Sequence, residues 1–164
     1  MTPPTQPVEE ALRKGILMYL RTQELTLANR PIKIDDTFDL EKLGTGQLPA
    51  CLVYDPRLVD ETHLSSDTVQ FLAHVQLLLA VNRGFNESED ASNIAELRRV
   101  IVDTLRNSNG LGAEAFGIFS HSFEISEVDR YVSEFGLAKE YTLSVTGYYE
   151  STGQDKGSIY ISAP

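Results

Sequence analysis

Two hydrophobic rhythms run through this chain, one of three to four residues and one of two. Near the N-terminus Val8, Ala11, Leu12, Ile16, Tyr19 and Leu20 recur at helical spacing, while Glu9, Glu10, Arg13 and Lys14 take the opposite side. This predicts a helix over about Pro7 to Gln23. Proline in the first turn and acids beside the positive helix end both suit a start there. The preceding Thr2 to Pro7 is proline-rich and expected to be extended. A second helical stripe is set by Ile94, Leu97, Ile101 and Leu105, with Arg98, Arg99 and Asp103 outside. Ser88, Asp90 and Ser92 each suit its N-cap, and Asn107 to Gly112 (NSNGLG) its stop.

The period-two signal is clearest from Thr68 to Asn82. Val69, Phe71, Ala73, Val75, Leu77, Leu79 and Val81 make one face wholly apolar, and the alternate positions are mixed. At about 3.3 Å per residue this strand would run roughly 45 to 50 Å, so it either bends or projects in part as a ribbon. Leu48 to Tyr54 reads as a buried strand, and Phe116 to Ile125 and Tyr141 to Tyr149 as two more. Ile32 to Thr45 offers one short strand, and Ser158 to Ser162 a short edge strand. Between the strands lie two segments read as long loops, Asp55 to Asp67 and the acidic Gly84 to Ser92. The order predicts an α+β fold: a small mixed, mainly antiparallel sheet with two principal helices packed on one face. Residues 1–151 would form the single domain and 152–164 a C-terminal extension.

Composition narrows the function. With 41% hydrophobic and 23% charged residues the chain has an ordinary globular composition and the length for one core. No apolar run approaches the roughly 18 to 20 residues of a membrane helix, and MTPPTQPVEE carries no export signal. A net charge of −10 argues against gripping nucleic acid, which takes Lys and Arg. The single cysteine, Cys51, allows no intrachain disulfide and reads as core.

Catalytic signals are poor. There is no glycine-rich phosphate loop, HExxH, paired-cysteine zinc pattern or GxSxG elbow. His74 lies inside the long strand and reads as structural. Ser120 and Ser122 flank His121, yet in a strand they point to the face opposite it. His63 beside Asp60 and Glu61 supplies too few firm ligands for a metal. Tyr148 and Tyr149 have no basic surroundings and suit a sheet surface or subunit contact better than a base platform. No catalytic residue, metal or cofactor is therefore expected.

Four features in order carry a likeness: the amphipathic helix Val8–Leu20, the strand Leu48–Tyr54 with its long loop, the strand–acidic loop–helix unit Val69–Arg106, and closing strands ending in YTLSVTGYYES. This pattern, over residues 8–151, resembles the tail terminator (tail-completion) proteins of long-tailed phages and related contractile machines. It leaves Ile32 to Gly46 and the tail after Ser151 unexplained. The resemblance implies a virion protein at the head-proximal end of the tail, forming a homo-oligomeric, commonly hexameric, ring. Such a ring caps the tail tube protein, ends tube growth and meets the head-side connector or neck protein. In contractile tails it also touches the sheath protein, and DNA passes without specific binding.

Candidate surfaces follow. Glu87, Glu89 and Asp90 are expected on an acidic channel or partner loop, and Asp55, Arg57, Asp60, Glu61 and His63 on a partner-contact loop. Ile159, Tyr160 and Ile161 are expected in an inter-subunit arm, whose removal would weaken ring contacts without unfolding the domain. Two other readings stay open: a small-molecule-binding α+β domain, and an enzyme centred on His121 or His63.

Overall fold

The structure is a computed structural model and describes residues 3–36, 48–83, 87–132 and 136–151. Helix α1 spans Val8–Thr22, capped by an extended Pro7 whose carbonyl accepts from the Ala11 amide at 2.9 Å. Its buried side comprises Val8, Ala11, Leu12, Gly15, Ile16, Leu17 and Leu20, the stripe expected from the spacing; Tyr19 packs half-buried beside it. A two-residue turn at Ala28 and Asn29, both with positive φ, joins β1 (Thr26–Leu27) to β2 (Arg30–Pro31). Short β3 (Lys33–Asp35) then pairs in parallel with the start of β4.

Four long strands form the rest of the sheet: β4 (Ala50–His63), β5 (Thr68–Asn82), β6 (Ile118–Val132) and β7 (Gly136–Glu150). Strand order is β3-β4-β5-β7-β6, and every pair except β3–β4 is antiparallel. The chain is thus an α+β fold with a small mixed, mainly antiparallel, curled sheet. The odd residues of β5 from Phe71 to Val81 face a core shared with both helices. Helix α2 (Glu87–Arg106) contributes Ile94, Leu97, Ile101 and Leu105 to it. A smaller cluster of Leu48, Ala50, Leu52, Leu78, Ala80 and Ala138 lies on the other face at one end of the sheet, with Tyr54 and Tyr131 packed against it.

A 3-10 segment, Gly110–Phe116, follows α2 and wedges against α1. Close approach needs two glycines. A Cβ on Gly15 would stand 2.5 Å from the Ala113 Cα, and one on Gly112 (φ +72°) 2.5 Å from the Tyr19 Cβ. Among the described residues no helix is long and apolar enough to cross a membrane.

Two expected loops are corrected. The segment Asp55 to Asp67 is not a long loop: β4 continues to His63, and only residues 64–67 turn. The Leu64 amide donates to the Thr68 carbonyl at 2.9 Å, and Ser65 Oγ accepts from the Asp67 and Thr68 amides at 3.2 Å. The segment is polar because both its faces meet solvent, as an edge strand's often do. Its hydrogen bonds go to β5. The acidic loop is also shorter than expected, because α2 already begins at Glu87. Acids in a first turn suit the positive end of a helix, so the run that reads as a loop is helix. Ser88, Asp90 and Ser92 therefore all lie inside α2 and none is its cap. Strands β6 and β7 also reach well beyond the expected Phe116–Ile125 and Tyr141–Tyr149.

Candidate assembly surface

The outer strands β4 and β6 define two rims. Strand β4 is paired with β3 only at Ala50–Leu52, so from Asp55 to His63 its outer edge meets no strand among the described residues. Along that stretch every side chain except Pro56 is exposed. Leu58 and Val59, with Leu64 at the turn, are 38%, 49% and 60% exposed. On the far rim β6 pairs, among the described residues, only with β7, and Val128 and Val132 are each 56% exposed. Unpaired backbone donors and acceptors beside exposed aliphatics make an edge competent to bind another strand.

The rims are matched row by row. Cross-strand registers align Arg57 with His74, Ser144 and Glu124, and Leu58 with Ala73, Val145 and Phe123. They likewise align Asp60 with Leu72, Thr146 and Ser122, and Glu61 with Phe71, Gly147 and Ser120. Within these rows each outer strand carries one extra residue, at adjacent levels: Val59 of β4 on one side of the Asp60–Ser122 row and position 121 of β6 on the other. The rows of Leu58 and Glu61 fall on the helix side of the sheet, since Ala73 and Phe71 point into the main core.

Beside the β6 rim is a cavity of about 140 Å³, lined by Leu105, Arg106 and Ser108 with Ser120, Ser122 and Phe123. Ser120 Oγ is occluded there with no hydrogen-bond partner among the described residues. On the other rim, Tyr149 Oη donates to Glu61 Oε1 at 2.7 Å, and Arg57 makes an exposed 3.2 Å pair with Asp55. At the opposite end Tyr54 donates its hydroxyl to Glu140. Burial first, and then that carboxylate, push the Tyr54 hydroxyl well above the usual tyrosine range.

The sequence-expected site residues fare differently. Asp55, Arg57, Asp60, Glu61 and His63 lie together on the β4 rim, but on a strand. Glu87, Glu89 and Asp90 all open α2. Glu89 is exposed, whereas Asp90 is only 4% exposed, with Arg83 at 4.0 Å, so it does not present its carboxylate to a channel. Ile159, Tyr160 and Ile161 lie outside the described residues. Sequence reasoning missed the β6 rim, although the alternation of Phe123 and Ile125 with Glu124 and Ser126 could have signalled a longer strand. Among the described residues no group of His, Cys, Asp and Glu is placed to hold a metal ion. No protein-family model matches the chain, and no curated protein matches it either.

Proposed function

We propose that this chain is a structural virion subunit forming a ring, commonly hexameric, that caps a tail tube, ends its polymerisation and joins the tail to the head-side connector. One observation carries the reading beyond the sequence resemblance. The four long strands alternate in direction, so the open β4 and β6 edges run antiparallel to each other. Copies set side by side in one orientation would therefore continue an antiparallel sheet from one to the next. Rings need such heterologous contacts, with two different complementary faces on each copy.

The helix-free face of the two central strands suits DNA passage. Gln70, Gln76, Thr142, Ser144 and Thr146 make its middle polar, and Glu140 and Glu150 add only negative charge. With a net charge of −10 on the chain, phosphates find little to hold them. The test is native mass by light scattering with negative-stain imaging, alone and with tube subunits. Rings, free or on tube ends, are expected. A chain that stays monomeric and leaves tube length unchanged would overturn the reading.

A second reading rests on a separate feature. A groove of about 470 Å³ between the end of α1 and the β1–β2 hairpin is lined mainly by Leu20, Leu25, Pro31, Ile32 and Ile34. This supports binding of a small apolar molecule. A thermal shift with a metabolite on a monomeric chain would favour it.

A further inference from the structure

We infer that the joint between neighbouring copies is an antiparallel pairing of residues 57–63 of β4 in one copy with residues 118–124 of β6 in the next, in the register that sets Arg57 opposite Glu124. The inference rests on the ring reading and specifies which residues would meet.

Three independent features select this register. Joining the sheets level, row to row, pairs Arg57 with Glu124, Leu58 with Phe123 and Glu61 with Ser120. These pairs share one residue-number sum, as an antiparallel ladder requires; the extra residues stand one row apart and offset each other everywhere except in the row of Asp60 and Ser122 between them, which is shifted by one. Pro56, which has no amide to donate, marks where the ladder ends. A seven-residue joint would extend about 23 Å.

Side-chain chemistry agrees on both faces. On the helix-free face Arg57 meets Glu124, which makes no ion pair among the described residues. Arg57 would give up only its exposed pair with Asp55, a contact worth little in water. On the helix face the exposed Leu58 covers the half-buried Phe123. Three residues along, Glu61 reaches the cavity where Ser120 Oγ lies occluded and unpartnered and Arg106 forms part of the wall. The hydroxyl donates to the incoming carboxylate, and the guanidinium supplies the opposite charge. Glu61 keeps its second oxygen for the Tyr149 hydroxyl. No two like charges face each other over residues 57–61 against 120–124.

The competing edge joint is isologous, β4 against β4 of a second copy. It would leave Glu124, Ser120 and Arg106 unused and would stop at a dimer.

The experiment is oxidative crosslinking of the full chain carrying Arg57→Cys and Glu124→Cys together, alongside each single variant, with native mass measured on the same samples. Both side chains are exposed, so folding is unaffected, and directly opposed residues of an antiparallel pair lie within disulfide reach. The double variant should give a ladder of covalent multimers on a non-reducing gel, and neither single variant should. Charge reversal gives a second readout. Arg57→Glu and Glu124→Arg should each weaken association about tenfold, and their combination should restore it. Oligomers of the double variant that form without a disulfide between positions 57 and 124 would overturn this joint while leaving the ring reading in place. Crosslinked dimers from Arg57→Cys alone would overturn it in favour of the isologous edge. A chain monomeric at every concentration that also leaves tube length unchanged would overturn both the joint and the ring.

Discussion

The two halves of β4 are built from the same backbone geometry and face different surroundings. From Ala50 to Val53 each residue is buried under one of the two apolar clusters, and as far as Leu52 a strand flanks it on both sides. From Asp55 to His63 the strand keeps its ladder to β5, yet it has lost its outer neighbour and its cover. The positive φ of Asp55 and a register shift between Tyr54 and Arg57 mark the change. One strand thus passes from core to rim within a short step. Burial governs stability in the first half, and the second is the open edge through which association is proposed.

The largest expected contrast is in thiol chemistry. Burial pushes the Cys51 thiol up to about 12, so at pH 8 almost none of it is thiolate. A cysteine at position 57 would ionise near the free value of about 8.5, which gives it a reactive fraction on the order of a thousandfold larger. An aromatic disulfide reagent should therefore label Arg57→Cys rapidly and leave Cys51 untouched until the chain is unfolded in denaturant. Comparable labelling rates in the native state would mean that the first half of β4 opens as readily as the second, and the contrast would fail.

Next in size is the response to truncation. Phe71 is 1% exposed and packs with Tyr149 at a centroid distance of 6.4 Å. Phe71→Ala should cost about 3–5 kcal/mol in urea unfolding. Leu58→Ala, on the rim, should stay within about 0.5 kcal/mol while weakening self-association. A large stability loss from Leu58→Ala would place that leucine in the core and remove the reason for its exposure.

These contrasts also explain what could be read from the sequence. Strand β5 was legible end to end because its odd positions pack on the helices, and that burial selects apolar residues without a gap. Helix α1 was legible for the same reason. The far halves of β4 and β6 were not, because nothing covers them. Asp55, Asp60 and Glu61 carry no period-two signal when both faces are wet, so a paired strand reads as a loop. Length held a clue all the same: a fifteen-residue β5 needs partners of like length to satisfy its backbone. The acidic run at Glu87 to Asp90 misled in the other direction, since the charges that suggested a solvated loop form a helix's first turn. The site was legible only on one side. The residues of the β4 rim were singled out, whereas the β6 rim, Arg106 and Ser120 emerge only when the registers bring them to one level.

The smallest effect concerns charge at the border of the packed region. Arg13 Nε donates to Glu10 Oε2 at 3.1 Å, and its guanidinium also lies 3.4 Å from Asp36. The hydrogen bond from Arg13 holds the Glu10 carboxyl below its ordinary value of 4.5. A carboxyl lowered on folding contributes stability that is present above that ordinary value and is lost as pH falls through the folded one. The side chain of Glu10 is about a third exposed, so solvent screening should keep the contribution under about 1 kcal/mol. Glu10→Gln should therefore lower the urea midpoint at pH 7 and merge with the unsubstituted chain once pH falls below the folded value. Since α1 packs on the core and residues 57–63 of the β4 rim are exposed, the same substitution should leave self-association unchanged at every pH. A coupled loss of assembly would show that the packed half and the open rim are not independent.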